Sequence, residues 1–442
     1  MLGEKDERAA TVNQPNPLAF YLALVYVFII FTQLHELVAL AIGVNTFLLP
    51  VVTVPTLLVV AFSGGFQRTL RWRAAKYWVA YTAWMILALP FSSWKAGSLM
   101  VVITWIRAEV MVLFVIAGCV ITWKQVNQLL AMFALAAAVD VIAGRILAGQ
   151  LAGRLELTGT TMSDPNDYAA QLILVLPFLL LVIMSRWRGS AVRVLAVVAL
   201  LGGIFLILLT GSRGALMALC VSVGFCLWKL RPSQKMAALL ALAALAAVAV
   251  FVLPQEVLSR FSTLVRSKDA NSNEEALAIG STEARTYLLR ESIYATLTHP
   301  LFGVGAGQFE SYEGYKARDA GQKGQWHQTH NSFTQVSSEN GLPALVFFLA
   351  AIIVTYRMLS AIHREAQKRP ATSETRRIKA TAFCLLASLV GFCAAIFFLS
   401  LAYRFYLPAL TGITIAFSRG VRHQWRRADA PSLVNEHLEV AP

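Results

Sequence analysis

The sequence predicts an all-α, polytopic membrane protein, and three observations lead to this fold class. Hydrophobic residues make up 57% of the 442 residues and charged residues 14%, whereas about a quarter of a soluble protein is charged. The apolar residues fall in blocks of about 20, the length of a helix that crosses the hydrocarbon core. Apolarity within a block is continuous and not alternating, which favours helices over the strands of a closed barrel.

About twelve apolar blocks follow one another along the chain, and we expect each to form a transmembrane helix. Asn45, Pro50 and Pro55 interrupt the second block, so the first two blocks could instead form one re-entrant pair. The predicted blocks are 17–34, 37–63, 77–92, 98–121, 126–147, 168–184, 194–210, 214–229, 236–253, 341–359, 380–403 and 405–418.

Arginine and lysine concentrate in the short loops after every second block. This positive-inside pattern places both termini in the cytoplasm, and it accounts for the net charge of +14 without nucleic-acid binding. The chain then divides into an N-terminal transmembrane bundle (1–253), a large extracytoplasmic loop (254–340), C-terminal transmembrane helices (341–420) and a disordered cytoplasmic tail (421–442).

The loop 254–340 is predicted to contain helices of its own. An apolar helical pattern covers about 282–297 and ends before Pro300, which cannot continue a helix. A glycine-rich turn follows at 303–307, and the polar stretch 308–320 is predicted to be helical again. The loop is therefore a folded element and not a linker.

The chain returns to the membrane through a polar run that begins at His330. Histidine is the usual general base for a hydroxyl group near neutral pH, so His330 is a candidate catalytic residue. Alternatively, Asn331 or Ser332 caps the following helix and His330 has no chemical role. His327 is a rival candidate nearby, and Glu339 follows two to three helical turns later.

Three arginines are predicted to lie on the same side of the membrane as His330. Arg213 lies in the turn between the seventh and eighth blocks, and Arg285 and Arg290 lie on the predicted loop helix. The guanidinium fork matches the geometry of a phosphate. Alternatively, the Arg213 side chain extends from a helix end toward the membrane interface. Arg285 and Arg290 would then lie on a solvated helix, where Glu291 pairs with either of them.

We expect neither a metal nor a cofactor on this side of the membrane. The sequence contains no P-loop, no His-Glu-x-x-His motif and no acidic pair placed to bind a divalent ion there. A diphosphate substrate would then be neutralised by arginines.

Two further polar groups of residues need an explanation. The stretch 163–167 predicts a helix N-cap and turn with its proline near the first helical position, and Asn166 in it could contact a sugar. Arg107, Glu109 and Asp140 lie inside apolar blocks. Charge is costly in lipid, so these three side chains are expected to face the protein interior.

The polar motifs of the chain, taken together, resemble those of the O-antigen ligase and O-antigen polymerase superfamily of bacterial envelope proteins. The resemblance covers about residues 150–350. It depends on Gly211-Ser212-Arg213-Gly214, the Arg285 helix leading into His299-Pro300-Leu301-Phe302-Gly303-Val304-Gly305, His330-Asn331-Ser332, Glu339-x-Gly341 and Asp164-Pro165-Asn166.

The resemblance implies a GT-C-like glycosyltransferase of the inner membrane with a periplasmic active site. Such an enzyme moves a glycan from undecaprenyl diphosphate to an acceptor hydroxyl with inversion and without a metal. His330 would be the base, and Arg213 and Arg285 would hold the diphosphate. Further candidates for substrate contacts are Arg290, Asn331, Glu339, His327 and Asn166.

Three acceptors are compatible with this donor chemistry. An O-antigen ligase, which is the favoured interpretation, uses lipid A–core; a polymerase uses another polyprenyl-linked repeat; and a protein O-oligosaccharyltransferase uses a serine or threonine. A polyprenyl-glycan transporter is the alternative from another class. It would need broken helices at mid-membrane in symmetric halves, whereas the polar residues here concentrate on one face.

Overall fold

The computed structural model describes residues 16–151, 154–157, 159–185, 189–230, 232–263 and 273–429. These residues are mostly helical. The helices are α1 Pro17–Phe31, α2 Leu34–Ile42, α3 Leu48–Phe62, α4 Gly65–Leu70, α5 Arg73–Ala88, α6 Lys95–Thr104, α7 Met111–Cys119, α8 Trp123–Ile146, α9 Pro165–Met184, α10 Ser190–Leu209, α11 Arg213–Lys229, α12 Pro232–Val252, α13 Gln255–Ser262, α14 Asn273–Thr298, α15 Phe309–Asp319, α16 Ser332–Lys368, α17 Ser373–Ile396 and α18 Tyr406–Asp429.

The predicted polytopic helical fold class is confirmed. Within the described ranges, seven helical segments are long and apolar enough to cross a membrane, and α1 with α2, bent by 63°, is an eighth candidate. Every predicted apolar block overlaps at least one helix. Among the described residues, the strands β1 (Gly149–Leu151) and β2 (Arg154–Glu156) form an antiparallel hairpin.

The second predicted block is interrupted, but not by its prolines. The chain breaks between α2 and α3, where the Asn45 side-chain oxygen accepts the Phe47 N–H (2.9 Å). Pro50 lies in the first turn of α3, where its missing N–H leaves no hydrogen bond unmade, and Pro55 lies within the helix.

The core lies between α5, α9, α16, α17 and α18. Helix α9 is buried along most of its length against α10 and α17, and α16 packs between α5 and α17. Trp78 of α5 is fully buried, donates its indole N–H to Thr411 of α18 (3.0 Å) and contacts the ring of Phe348 of α16. By contrast, α12 has no buried residue and lies on the outside of the bundle.

The charged residues within the apolar blocks fulfil the prediction only in part. Asp140 is buried and accepts a hydrogen bond from the Gln171 amide (2.7 Å), and Glu109 is also buried. The expectation for Arg107 is wrong, because Arg107 is exposed. It lies two residues before Glu109 in a π-helical turn, so the two side chains point to different faces.

The end of α18 corrects the predicted start of the tail. The helix continues to Asp429, eight residues beyond 421. Two guanidinium nitrogens of Arg369 donate to the Asp429 carboxylate (2.9 and 3.1 Å), and the same group lies 4.6 Å from the Trp425 ring centre. These contacts stabilise the last turns of the helix. Residues 430–442 lie outside the described residues.

The loops assigned by charge to one side of the membrane do meet at one end of the bundle. Hydrogen bonds join Ser93 to Val304 (2.9 Å), Arg154 to Thr210 (2.8 Å), Arg213 to Thr263 (3.1 Å) and Ser332 to Leu399 (2.6 Å). At the other end lie Arg68 and Arg419, two basic residues that the charge pattern assigns to the cytoplasm. Both donate hydrogen bonds to backbone carbonyls, Arg68 in the last turn of α7 and Arg419 in that turn and in the loop after it.

Helix α16 is broken at Gly341, where the predicted tenth span begins (φ 82°, ψ 173°). Just before this break, the carbonyls of Ser338 and Glu339 accept the N–H groups of Val304 and Gly305 (2.8 and 2.9 Å). The glycine-rich turn after α14 is therefore fixed to the first part of α16. This pairing sets the position of α14 relative to the start of α16.

Substitution of Gly341 by alanine is expected to destabilise the fold by about 2 kcal/mol or more, because its φ is positive. A β-carbon there would also lie 2.0 Å from the Leu301 carbonyl oxygen. Thermal unfolding in detergent measures the loss. Gly224→Ala is the matched control, since a β-carbon at this helical glycine has open space. Equal melting temperatures for Gly341→Ala and Gly224→Ala would contradict the prediction.

Candidate active site

A cleft of about 390 Å³ lies at the end of the bundle where these loops meet, and we call it the arginine cleft. It brings together the three residues predicted to be catalytic. Its polar lining residues are Arg213, Thr263, Thr282, Arg285, Thr286, Thr329, His330 and Asn331. A larger cleft of about 900 Å³ lies at the opposite end beside Trp123, and none of the predicted site residues lines it.

His330 has a left-handed backbone conformation (φ 50°), which is uncommon for a residue other than glycine. The hydroxyl of Ser400, from the loop between α17 and α18, accepts the His330 N–H (2.8 Å) and lies 3.2 Å from the Thr329 hydroxyl. The imidazole makes no hydrogen bond within the described part of the chain. A strained residue with an unused ring in a cleft is typical of a functional site.

The residues after His330 hold it in place. The Asn331 side-chain oxygen accepts the backbone N–H groups of Phe333 and Thr334 (2.9 and 3.1 Å), so the alternative that Asn331 caps the helix is correct. Ser332 donates its hydroxyl to the Leu399 carbonyl (2.6 Å). Capping and a place in the cleft are compatible, since Asn331 also lines it.

The surroundings of His330 favour its neutral form. Burial lowers the pKa of His330 to about 4, and the Arg285 guanidinium and His327 act in the same direction, while Asp164 opposes them. A neutral imidazole can accept a proton, whereas imidazolium cannot. His330 is therefore in the protonation state that a general base needs throughout the neutral pH range.

The acid limb of the pH–rate profile is expected near pH 4 instead of 6.5. As pH falls through the pKa of His330, the ring gains a proton and stops acting as a base, so kcat/KM falls. Arg285→Ala removes one cause of the low pKa and should move this limb to higher pH. A limb at 6.5 in both proteins would contradict the assignment.

Arg213 and Arg285 reach the cleft from different helices. Arg213 is the first residue of α11, whose N-cap Ser212 accepts the Ala215 N–H (3.2 Å), and it donates to the Thr263 hydroxyl (3.1 Å). Arg285 comes from α14. The N-terminus of α11 adds positive potential to that of the guanidinium groups. The cleft is suited to an anion.

Arg154 is a neighbour of this site that the sequence did not reveal. It extends from β2, donates to the Thr210 carbonyl (2.8 Å) and donates to the Asn166 side-chain oxygen (2.9 Å). Asn166 itself donates its backbone N–H to the Asp164 carboxylate (2.6 Å). Asp164 thereby caps α9 with proline at the first position, and the predicted N-cap is confirmed.

Arg154 belongs to a cluster of four arginines. Burial, and then repulsion from the Arg260 guanidinium, lower the pKa of Arg154 to about 10, with smaller effects of Arg285 and Arg213. Asp164 is the acid that opposes this shift. One feature of the sequence could have indicated Arg154 and Arg260 as site residues. They lie on the side of the membrane that the charge pattern leaves poor in basic residues.

Arg290, Glu291 and His327 are not among the residues that line the arginine cleft. Arg290 is exposed and is not among the cleft residues, because it follows Arg285 by five positions and faces another direction. The hypothesis that Glu291 pairs with either arginine is wrong, since Glu291 pairs with Lys316 of α15 (2.6 Å). His327 is exposed, with its ring centre 6.3 Å from that of His330.

Glu339 lies away from the residues that line the arginine cleft. It is buried, and one carboxylate oxygen accepts the Tyr403 hydroxyl (2.5 Å) and the Gly307 N–H (2.7 Å). The structure therefore gives Glu339 the task of holding the glycine-rich turn against α16 and the loop before α18. Among the residues described, no group of three or more His, Cys, Asp or Glu side chains is arranged to hold a metal ion.

A comparison with known protein families gives a match for the segment that contains the arginine cleft. Residues 198–349 match the family model described as O-antigen ligase. The predicted superfamily is confirmed for this segment. The O-antigen ligase segment contains Arg213, Arg285 and His330 and covers less than half of the chain. Curated proteins gave no match.

The family match and the apolar helices together indicate a multi-pass bacterial inner-membrane protein. The family suggests a glycan-transferring membrane enzyme and implies lipid-linked glycan substrates.

Proposed function

We propose that this protein is an O-antigen ligase-type glycosyltransferase that moves a glycan from undecaprenyl diphosphate to a sugar hydroxyl of lipid A–core. The observation that supports the proposal is the arginine cleft, in which an unprotonated His330 lies beside Arg213 and Arg285. In this proposal the fold is GT-C-like with twelve spans, both termini are cytoplasmic and the cleft faces the periplasm.

The proposed reaction is a direct displacement. The acceptor oxygen forms a bond to the anomeric carbon while the bond from that carbon to the diphosphate oxygen breaks, which inverts the configuration. His330 takes the acceptor hydroxyl proton. Undecaprenyl diphosphate leaves with the electron pair, and Arg213 and Arg285 stabilise its negative charge, so the step needs no metal.

Donor binding would also strengthen the base. In the empty cleft, repulsion from Arg285 helps to keep His330 unprotonated. The diphosphate would neutralise this charge and add negative charge nearby, which raises the proton affinity of the imidazole. His330 would therefore become a better proton acceptor once the donor has bound.

Reconstitution tests this proposal. Purified protein in liposomes receives an undecaprenyl-diphosphate-linked glycan and lipid A–core in the presence of a chelator, and the glycan joined to lipid A–core is measured. We expect this product to form. Glycan chain growth without it would indicate a polymerase, and glycan on serine or threonine of a protein would indicate an O-oligosaccharyltransferase. Translocation with no new glycosidic bond would exclude all three enzymes.

A further inference from the structure

A second cleft, of about 380 Å³, lies beside the arginine cleft, and we call it the carboxylate cleft. Its polar lining residues are Thr104, Glu109, Asp167, Gln328, Gln335, Ser400, Tyr403 and Arg404. The two clefts share a wall. Thr329 lines the first and Ser400 the second, and their hydroxyl oxygens are 3.2 Å apart. The chain segment that carries His330 therefore runs between the two clefts.

The two clefts differ in chemistry. The charged residues that line the arginine cleft are arginines, which suit a phosphate. The carboxylate cleft offers two carboxyl groups, Arg404 as a donor, the Gln328 amide, which both donates and accepts, and the Gln335 amide, whose oxygen already accepts the Ala402 N–H (3.2 Å). Sugar hydroxyls both donate and accept hydrogen bonds, so they match this set of side chains.

Glu109 provides an independent observation. The residue is 9% exposed, and its Oε2 atom has no hydrogen-bond partner within the described ranges. A buried polar atom without a partner is costly and rare, and it indicates a ligand or water that completes the site. Glu109 also ends the π-helical turn Trp105–Glu109, and such turns are frequent at functional sites.

We propose that the carboxylate cleft binds the acceptor through sugar hydroxyls, one of which donates to Glu109. This inference rests on the proposed function. The donor diphosphate then occupies the arginine cleft and the acceptor sugar the carboxylate cleft, with His330 on the segment between them. The acceptor sugar can belong to lipid A–core or to a polyprenyl-linked repeat, since the cleft recognises hydroxyl groups.

Steady-state kinetics with the reconstituted full-length protein tests the inference. Acceptor concentration is varied at saturating donor, and then the reverse, with lipid A–core in one arm and a polyprenyl-linked repeat in the other. Glu109→Gln keeps the side-chain shape but replaces an acceptor oxygen by a donor amide. We expect the acceptor KM to rise about 10-fold and the donor KM to stay within about twofold.

Two further variants control for folding and for charge. Gln328 lies on an exposed loop position and lines the cleft, so Gln328→Ala should also raise the acceptor KM without affecting the fold. Glu310 is an exposed carboxylate on α15, and Glu310→Gln should leave both KM values unchanged. The arm in which the acceptor KM rises identifies the source of the sugar.

Failure of the inference differs from failure of the proposed function. Wild-type transfer with an unchanged acceptor KM in both Glu109→Gln and Gln328→Ala overturns the inference alone. Transfer only to a protein serine or threonine overturns the proposed acceptor and the inference together. A wild-type protein that forms no glycosidic bond overturns the proposed function and the inference together.

Discussion

Replacement of His330 by alanine is expected to lower kcat for glycan transfer by about 10²–10⁴-fold, the usual contribution of a general base. The donor KM should change little, because the arginines hold the diphosphate. The expectation follows from the unused imidazole in the arginine cleft and from its low pKa. Initial rates of product formation at saturating donor and acceptor measure the effect.

A second substitution separates the loss of the imidazole from the loss of backbone geometry. Asparagine tolerates a left-handed backbone, so His330→Asn keeps the strained conformation (φ 50°) without supplying a base. We expect the same loss as with alanine. His327→Ala tests the rival histidine and should cost much less, since His327 is exposed. A His330→Asn protein with the wild-type rate would rule out His330 as the base.

Replacement of Arg285 by alanine is expected to lower kcat/KM for the donor by about 10²–10³-fold, the range found when one donor to a developing negative charge is removed. Arg285 lines the arginine cleft and is part of the four-arginine cluster. The measurement is kcat/KM with donor concentration varied at saturating acceptor.

Arg290→Ala provides the matched comparison. It removes the same side chain from the same helix, but at an exposed position that we place outside the site. Its kcat/KM for the donor should remain within about threefold of the wild-type value, as for other exposed charges. Equal losses in the two variants would show that general positive charge, and not the cleft, binds the donor.

The sequence was sufficient for the parts of the structure that depend on local pattern. Apolar length located the helices, and the positions of basic residues indicated which loops meet at one end of the bundle. The positions of the basic residues thus predicted that Arg213, Arg285 and His330 lie on the same side of the membrane. The cap at Asp164 could also be predicted, because capping depends on neighbours within one helical turn.

The rest depends on contacts between distant parts of the chain. Arg154 reaches the site because a short hairpin turns it toward Thr210, and no local pattern predicts that pairing. Arg285 and Arg290 differ only in which face of α14 meets the cleft, and the packing of α14 on α16 decides this. Glu339 was predicted beside the substrate, but its partners come from two loops elsewhere in the chain.

The central claim is that the arginine cleft breaks a glycan–diphosphate bond while His330 activates the acceptor. The most direct measurement counts, in one reconstituted sample, the undecaprenyl diphosphate released and the glycosidic bonds formed. The account predicts one bond for each undecaprenyl diphosphate with the wild-type protein and almost none of either with His330→Asn. Bond formation at equal rates in the two proteins, or donor movement across the membrane with no bond formed, would contradict it.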